Sequence, residues 1–434
     1  MSNIKWTPSP IFDNLPNVTD TKYLTSLTQA LQRNSPDIDL YMIYEYYNDI
    51  DPKQPFFALR LANAYSQLEF YTGALQVLQN LEYVRFNDPY IQVWVAQLME
   101  LVNQQAQISN RIYDNKEYVK APLLIPLENY VTHVPPNLNT LEKMCHDVAN
   151  HTNGKKIKEA YARILSIETN EIEDVFRLSP QSKSVMTRCG FFMGAIQHVD
   201  HNQNITKNKT LNILKGTQQA LDYLVEHIAT VCAGGPFRLT AGLIIEIHNR
   251  TMQSNAISED RVDEFYTRRK LVRTRSWRTE VVYVKRFDGS VYLFHHPNVI
   301  ANSIEQFVHQ ANINIDRMLR NEVDPFTVSA WMHHTLINIH PFIDGNGRMT
   351  RFISSIPLIL KNYMPLYIGL SNKKVYIDAL VEADTTTSIV SLVQVFASNI
   401  EMCLEMVKAN CIPKDTDEVY MTDAETGKTI YYNV

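Results

Sequence analysis

The sequence predicts an all-α chain, with helical hairpins at the N-terminus and a larger helical domain that carries one β-hairpin. Three observations predict it. From about residue 20 to 112, apolar residues recur at steps of three and four with almost no strand-like alternation. The same periodicity returns over 139–178 and dominates from about 210 to 412. One segment interrupts it, Glu280–His295, where TEVVYVKR and SVYLFHH flank Phe287-Asp288-Gly289-Ser290; a central Asp-Gly between β-branched and aromatic runs signals a hairpin.

The N-terminal region, 20–112, has its clearest unit in Pro55–Leu81. Leu61, Ala62 and Tyr65 fall on one helix, Gly73 in the turn region, and Ala74, Leu78 and Leu81 on the next. Small residues that let two helices approach, with large ones filling the groove, resemble a tetratricopeptide (TPR) hairpin. Flanking segments share the aromatic and apolar content but not the register. Residues 113–138 hold Pro122, Pro126, Pro135 and Pro136, which remove donors and restrict the preceding residue, so a linker is expected there. The second domain is expected over 139–412, with a polar loop at 200–210 and a C-terminal tail at 413–434.

Composition removes several function classes. With 434 residues, 45% of them hydrophobic, the chain can bury two cores. Lys and Arg total 41 against 46 for Asp and Glu, so a formal charge of -5 offers no broad basic field, and neither nucleic acid nor membrane is an expected partner. The five cysteines (Cys145, Cys189, Cys232, Cys403, Cys411) are odd in number and lack CxxC pairs, so they read as buried thiols in a reducing compartment. The N-terminus has prolines and polar residues where a signal peptide needs an apolar run, and no unbroken stretch of about 18 apolar residues occurs. A cytoplasmic or nuclear location is expected.

Residues 340–351 carry the chemistry: His-Pro-Phe-Ile-Asp-Gly-Asn-Gly-Arg-Met-Thr-Arg. Asp324-Pro325 upstream is a cap followed by the position where proline fits a helix, and AWMHHTLINI runs from it into His340. RMTRFISSIPLIL downstream is a second apolar helix. The string is therefore a helix, a tight glycine-bearing turn and a helix. Gly345 and Gly347 let the backbone approach a ligand, and the amides opening the next helix present unpaired donors with a favourable dipole. Phosphate is the expected guest. Arg348 and Arg351, three apart, bring two guanidinium groups to the face beside those amides, which suits a polyphosphate. Asp344 offers the hard oxygen Mg2+ prefers, shared with substrate phosphates. At the end of the preceding helix, a neutral His340 imidazole could take a proton from an attacking hydroxyl.

The string matches, without a gap, the pattern HPF-x-D/E-G-N-G/K-R-x-x-R that identifies the Fic family, and the resemblance extends over roughly 155–405. It implies protein adenylyltransferase activity: AMP moves from ATP to a Tyr, Thr or Ser hydroxyl of a target protein. It assigns His340 as base, Asp344 as Mg2+ ligand (Mn2+ in its place), Gly345, Asn346 and Gly347 as the anion hole, and Arg348 and Arg351 as phosphate grips. The family branch that phosphorylates has Lys where this chain has Gly347. By the same resemblance, Leu243–Thr251 is the helix opening the family core, the 280–295 hairpin is the flap on which a target strand can pair, and His334 matches a family histidine on the core helix; His334 and His248 both read as structural, packing histidines.

Tyr376 and Asp384 are the adenine-side candidates; Asp384 stands where related chains often have Asn, and a carboxylate can accept from the adenine amino group but not donate. Thr169–Asp174, closing a helix over about 156–174, resembles the family's inhibitory motif S/T-x-x-x-E-G/N, which implies autoinhibition by Glu173 paired with Arg351. Asp174 departs from the pattern, being less suited than Gly or Asn to a left-handed helix end. The resemblance also implies self-modification, and the repeat-like N-terminal region is expected to present or select a partner or to dock a second copy in a homodimer. The alternatives are removal of AMP by the same site, and a TPR-type adaptor whose nucleotide site is vestigial.

Overall fold

The computed structural model describes residues 14–82, 88–199, 205–261, 267–272, 274–286, 288–411, 419–422 and 429–432. Phe287 of the expected hairpin turn, 200–204 of the expected polar loop and much of the expected tail lie outside them. The chain forms two compact units, one of Met1–Asn115 with Ala256–Val272, the other of Lys116–Asn255 with Arg273–Val434.

The first unit contains α1 (Leu24–Gln32), α2 (Asp37–Ile50), α3 (Pro55–Gln67), α4 (Tyr71–Glu82) and α5 (Pro89–Tyr113). Pro55 and Pro89 open their helices behind Gln54 and Asp88, whose side chains accept from the first free amides. Aromatic residues fill the core: Tyr47 stacks on Phe57 at 4.7 Å, and Tyr44, Phe56 and Tyr65 are buried around them. Gly73, expected in the turn, lies in the first turn of α4, where a Cβ would come within 2.0 Å of the Phe70 ring. This unit also holds an antiparallel pair, Ile257–Arg261 with Thr267–Leu271, that the sequence reading missed. ISEDR and TRRKL give no alternation of apolar and polar residues, while Leu271 is buried in this core and its amide donates to Leu68 O at 3.2 Å.

The second unit contains α6 (Leu138–Asn150), α7 (Gly154–Ile172), α8 (Pro180–Cys189), α9 (Lys207–Gly234), α10 (Ala241–Met252), α11 (Ile300–Leu319), α12 (Pro325–Ile339), α13 (Asn346–Ser354), α14 (Ile356–Leu360), α15 (Lys373–Thr386) and α16 (Val390–Cys411). The expected hairpin is present as Tyr283–Lys285 paired antiparallel with Val291–Leu293. A further antiparallel pair joins Val419–Thr422 to Thr429–Tyr432.

Residues 116–138 differ from the expected linker, because they are built into this unit. Val119–Lys120 pairs parallel with Val291–Leu293, Trp331 Nε1 donates to Ile125 O at 2.8 Å, and the Pro122 carbonyl accepts from His295 at 2.9 Å. Proline removes a donor but keeps its acceptor, and here the acceptor is used.

Helix α12 is buried on every side, as an apolar helix at the centre of a bundle must be. Asp324 caps it, accepting from Phe326 N at 3.0 Å and Thr327 N at 2.9 Å with Pro325 at the first helical position. Removing a side chain such as Leu336 to Ala would cost about 2–5 kcal/mol. The stretch Val390–Ala409 of α16 has the length and apolarity of a membrane span. Phe396, Ile400, Cys403, Leu404 and Val407 on it are buried in the core of this unit.

Candidate active site

Helix α12 ends at His340, whose backbone is left-handed with φ 50° and ψ 61°. A non-glycine residue held there carries strain of about 1–3 kcal/mol. Pro341, following it, independently favours an extended backbone at His340. The ring is fixed as tightly as the backbone. It stacks on Phe294 with centroids 3.7 Å apart, and Nδ1 lies 3.1 Å from Ile337 O. A carbonyl only accepts, so Nδ1 carries the proton and Nε2 presents its lone pair. Burial, and secondarily the Arg278 charge, pull the pKa down to about 3, so the ring is neutral at ordinary pH.

The turn between His340 and α13 is shaped by contacts at each residue. Gly345 has φ 79°, and a Cβ there would come within 2.5 Å of Met252 Sδ. His248 on α10 stacks face to face on Phe342 at 3.5 Å, and its Nε2 donates to the Asp344 carbonyl at 2.8 Å. Asn346, expected at the anion hole, has a buried side chain committed to the turn itself, with Oδ1 accepting from Phe342 N at 3.0 Å and Nδ2 donating to Phe342 O at 2.8 Å. Its amide group staples the loop.

Arg348 and Arg351 are brought together, both almost fully buried. Arg348 Nη1 donates to Asn170 Oδ1 at 3.1 Å. Arg351 donates through Nε to Thr169 Oγ1 at 2.7 Å, and through Nη2 to Thr169 O at 3.0 Å and Glu173 Oε1 at 2.6 Å. Arg348 Nε, Arg348 Nη2 and Arg351 Nη1 have no hydrogen-bond partner among the described residues. Asp344 Oδ1 stands 3.7 Å from Arg348 Nη2, outside hydrogen-bond reach. Each unsatisfied buried donor costs about 1–3 kcal/mol, a cost an anion would remove.

Glu173 caps the end of α7, and its Oε1 lies 2.1 Å from where a Cβ on residue 347 would sit. Gly347 thus leaves the space that the Glu173 carboxylate fills. The next residue, Asp174, is left-handed with φ 55°, and its carboxylate pairs with Arg177 and, at 2.5 Å, with Lys373.

Asp344 lies at the lip of the turn, its side chain 41% exposed and Oδ1 accepting from Gly345 N at 2.6 Å. No group of three metal-ligating side chains occurs among the described residues. One exposed carboxylate fits a metal that brings most of its ligands as water and substrate phosphate, the habit of Mg2+ rather than of a protein-caged ion.

The two adenine-side candidates have polar atoms engaged within the protein. Asp384 is occupied: Oδ1 accepts from His334 Nε2 and Asn338 Nδ2, each at 2.9 Å, and Oδ2 from Arg286 at 2.5 Å. It ties the hairpin's Arg286 to α12 and α15, and the partners come from two separate segments that spacing does not reveal. The Tyr376 hydroxyl is buried at 2.8 Å from His333 Nε2, and burial raises its pKa to about 12. Arg278 was missed altogether, as were Thr169 and Asn170 as partners of the arginines.

Fold and site together define a helical domain built around a loop that joins a preset histidine to an anion-ready helix end. It is a Fic domain: residues 238–358 match the Fic/DOC family, and the chain carries that domain. A Fido domain-containing protein of Dictyostelium discoideum is 43% identical over 61 residues, 14% of this chain and 42% of that protein. The protein adenylyltransferase Fic of Drosophila grimshawi is 28% identical over 133 residues, 30% of this chain and 26% of that protein. The chain thus spans less than half the length of either relative. Among solved structures, a Fic domain containing signaling protein from Bacteroides thetaiotaomicron is similar with a TM-score of 0.50 at 18% identity, covering 65% of this chain and 99% of that one, a likeness of fold.

Proposed function

We propose that this chain is a protein adenylyltransferase, moving AMP from ATP to a Tyr, Thr or Ser hydroxyl of a target protein, and that Glu173 holds it in check. One observation carries the reading: three buried guanidinium donors of Arg348 and Arg351 on α13 lack partners, and the loop entering α13 begins at an imidazole whose free nitrogen is Nε2. A polyphosphate supplies the missing acceptors. The name of the Drosophila relative, a protein adenylyltransferase, supports the same reading.

In the proposed step, His340 Nε2 takes the proton of the target hydroxyl as its oxygen attacks the α-phosphorus. The new P–O bond replaces the bond to pyrophosphate, which leaves with its electron pair and is held by the α13 amides and the two arginines. Asp344 would hold Mg2+ (or Mn2+), whose chemistry when bound is to neutralise phosphate charge. Glu173 occupies Arg351 Nη2 at 2.6 Å, so a γ-phosphate seeking that donor must displace it. Asp384 drops out of adenine recognition in this scheme, since Arg286, His334 and Asn338 already hold it.

Incubation with α-labelled ATP and Mg2+ tests the proposal, with the protein itself and a cell extract as acceptors. Glu173→Gly is expected to gain label at least about tenfold over the unmodified chain, which corresponds to about 1.4 kcal/mol of released inhibition. Label absent from both, with acceptors present, rejects AMP transfer. Loss of label from a pre-adenylylated target on the unmodified chain would favour the reverse reaction.

A further inference from the structure

Arg278 lies outside the 340–351 string, just before the hairpin, and is one of the largest fully buried side chains in the molecule. Its guanidinium donates to main-chain carbonyls from three segments. Nε reaches His340 O at 2.6 Å, Nη1 reaches Glu280 O at 2.5 Å, and Nη2 reaches His295 O at 2.5 Å and Ile339 O at 3.5 Å. Its own amide donates to Pro341 O at 2.9 Å. Residues 339–341 thus present three consecutive carbonyls to this one arginine, while its other two bonds hold both ends of the hairpin.

His340 needs such an anchor. Its backbone is left-handed, and Pro341 favours an extended conformation there. A strained residue persists only where its surroundings over-determine it, and the contacts that fix His340 are the Phe294 stack, the Nδ1 bond to Ile337 O and the Arg278 bonds. Phe294 lies beside His295, whose carbonyl Arg278 also holds, so the stack and the backbone are set by one group.

We propose that Arg278 is the positioning residue for the base: it fixes His340 in the left-handed conformation that turns Nδ1 toward Ile337 O and leaves Nε2 open, and it locks the hairpin to that loop. The inference rests on the adenylyltransferase reading for its kinetic consequence but not for its structural one. The fixed guanidinium charge further opposes an imidazolium at His340, second to burial.

Two substitutions separate geometry from charge. Arg278→Lys keeps the charge but cannot reach four carbonyls, and kcat is expected to fall about 10²-fold with the KM for ATP within about twofold of the original. Arg278→Gln should lose kcat similarly and also move the His340 titration, followed by nitrogen NMR, upward toward its ordinary value. A kcat kept within about threefold in either folded variant, or a loss carried only by the KM for ATP, overturns the proposal. Should neither variant fold, the unmodified protein decides: a single Nδ1-protonated His340 tautomer from about pH 5 to about pH 8 is expected, and an Nε2-protonated or mixed population overturns it. If Glu173→Gly transfers no AMP, the adenylyltransferase reading falls, while these substrate-free NMR measurements still decide the role of Arg278.

Discussion

The loop from His340 to Arg351 has two flanks held in opposite ways by the same kind of side chain. On the histidine flank, Arg278 donates from all three guanidinium nitrogens to backbone carbonyls. On the helix flank, Arg348 and Arg351 are as deeply buried yet keep three donor nitrogens unpaired. A buried charge is tolerated when it is paired and hydrogen-bonded, and costs stability when it is not. The first flank is therefore finished by folding, and the second keeps open donors that the proposed phosphate would fill. Burial alone would have graded the three arginines alike; the hydrogen-bond inventory separates scaffold from site.

Activity should show the largest consequence. His340→Ala removes the base and should lower AMP transfer about 10²–10⁴-fold, while the rise in unfolding temperature caused by ATP and Mg2+ stays as in the unmodified chain. Arg348→Ala should abolish that rise, because the ligand's acceptors lose their donors. A His340→Ala protein that still labels targets would break the assignment of the first flank, and an Arg348→Ala protein that still gains full thermal protection would break that of the second.

Stability without ligand should follow the opposite order. Arg278→Met strands several buried carbonyls and should cost about 3–5 kcal/mol by urea unfolding. Arg348→Met removes a charge with orphaned donors, loses one bond to Asn170, and should cost no more than about 1 kcal/mol or raise stability. Equal losses would mean that the unpaired donors of Arg348 are satisfied in solution.

What the sequence revealed follows the same division. His340, Asp344, Gly345, Gly347, Arg348 and Arg351 were legible because they are contiguous and their chemistry is local, and the pairing of Glu173 with Arg351 was legible from a motif resemblance. The Asp324-Pro325 cap and the Asp-Gly hairpin obeyed local rules. Arg278 was not legible, because its partners are backbone carbonyls, which every residue possesses. The bonds of Asp384 were not legible for a related reason: a carboxylate aligned with a family position says nothing of the Arg286 and Asn338 that reach it from elsewhere in the chain. The pair Ile257–Arg261 with Thr267–Leu271 escaped because its strands carry charge where a half-buried strand shows alternation.

The last effect is on pH dependence, and it contrasts two buried histidines beside the loop. Burial is the leading cause in lowering His248 to about 4, His340 to about 3 and His333 well below its usual range. A lowered histidine pKa means that the folded chain refuses protons the unfolded chain accepts, so stability is retained above about pH 6.5 and lost as pH falls below it. At about pH 5 the fully buried His248 alone should cost about 1–2 kcal/mol relative to neutral pH, read as a shift in the urea midpoint. The base behaves differently while the chain remains folded. Because His340 stays neutral, kcat/KM corrected for the folded fraction should be flat from about pH 8 down to about pH 5. An acid limb near pH 6.5 in that corrected rate, abolished by no change at His248, would mean that the imidazole of His340 meets open water and that the Arg278 flank is not finished by folding.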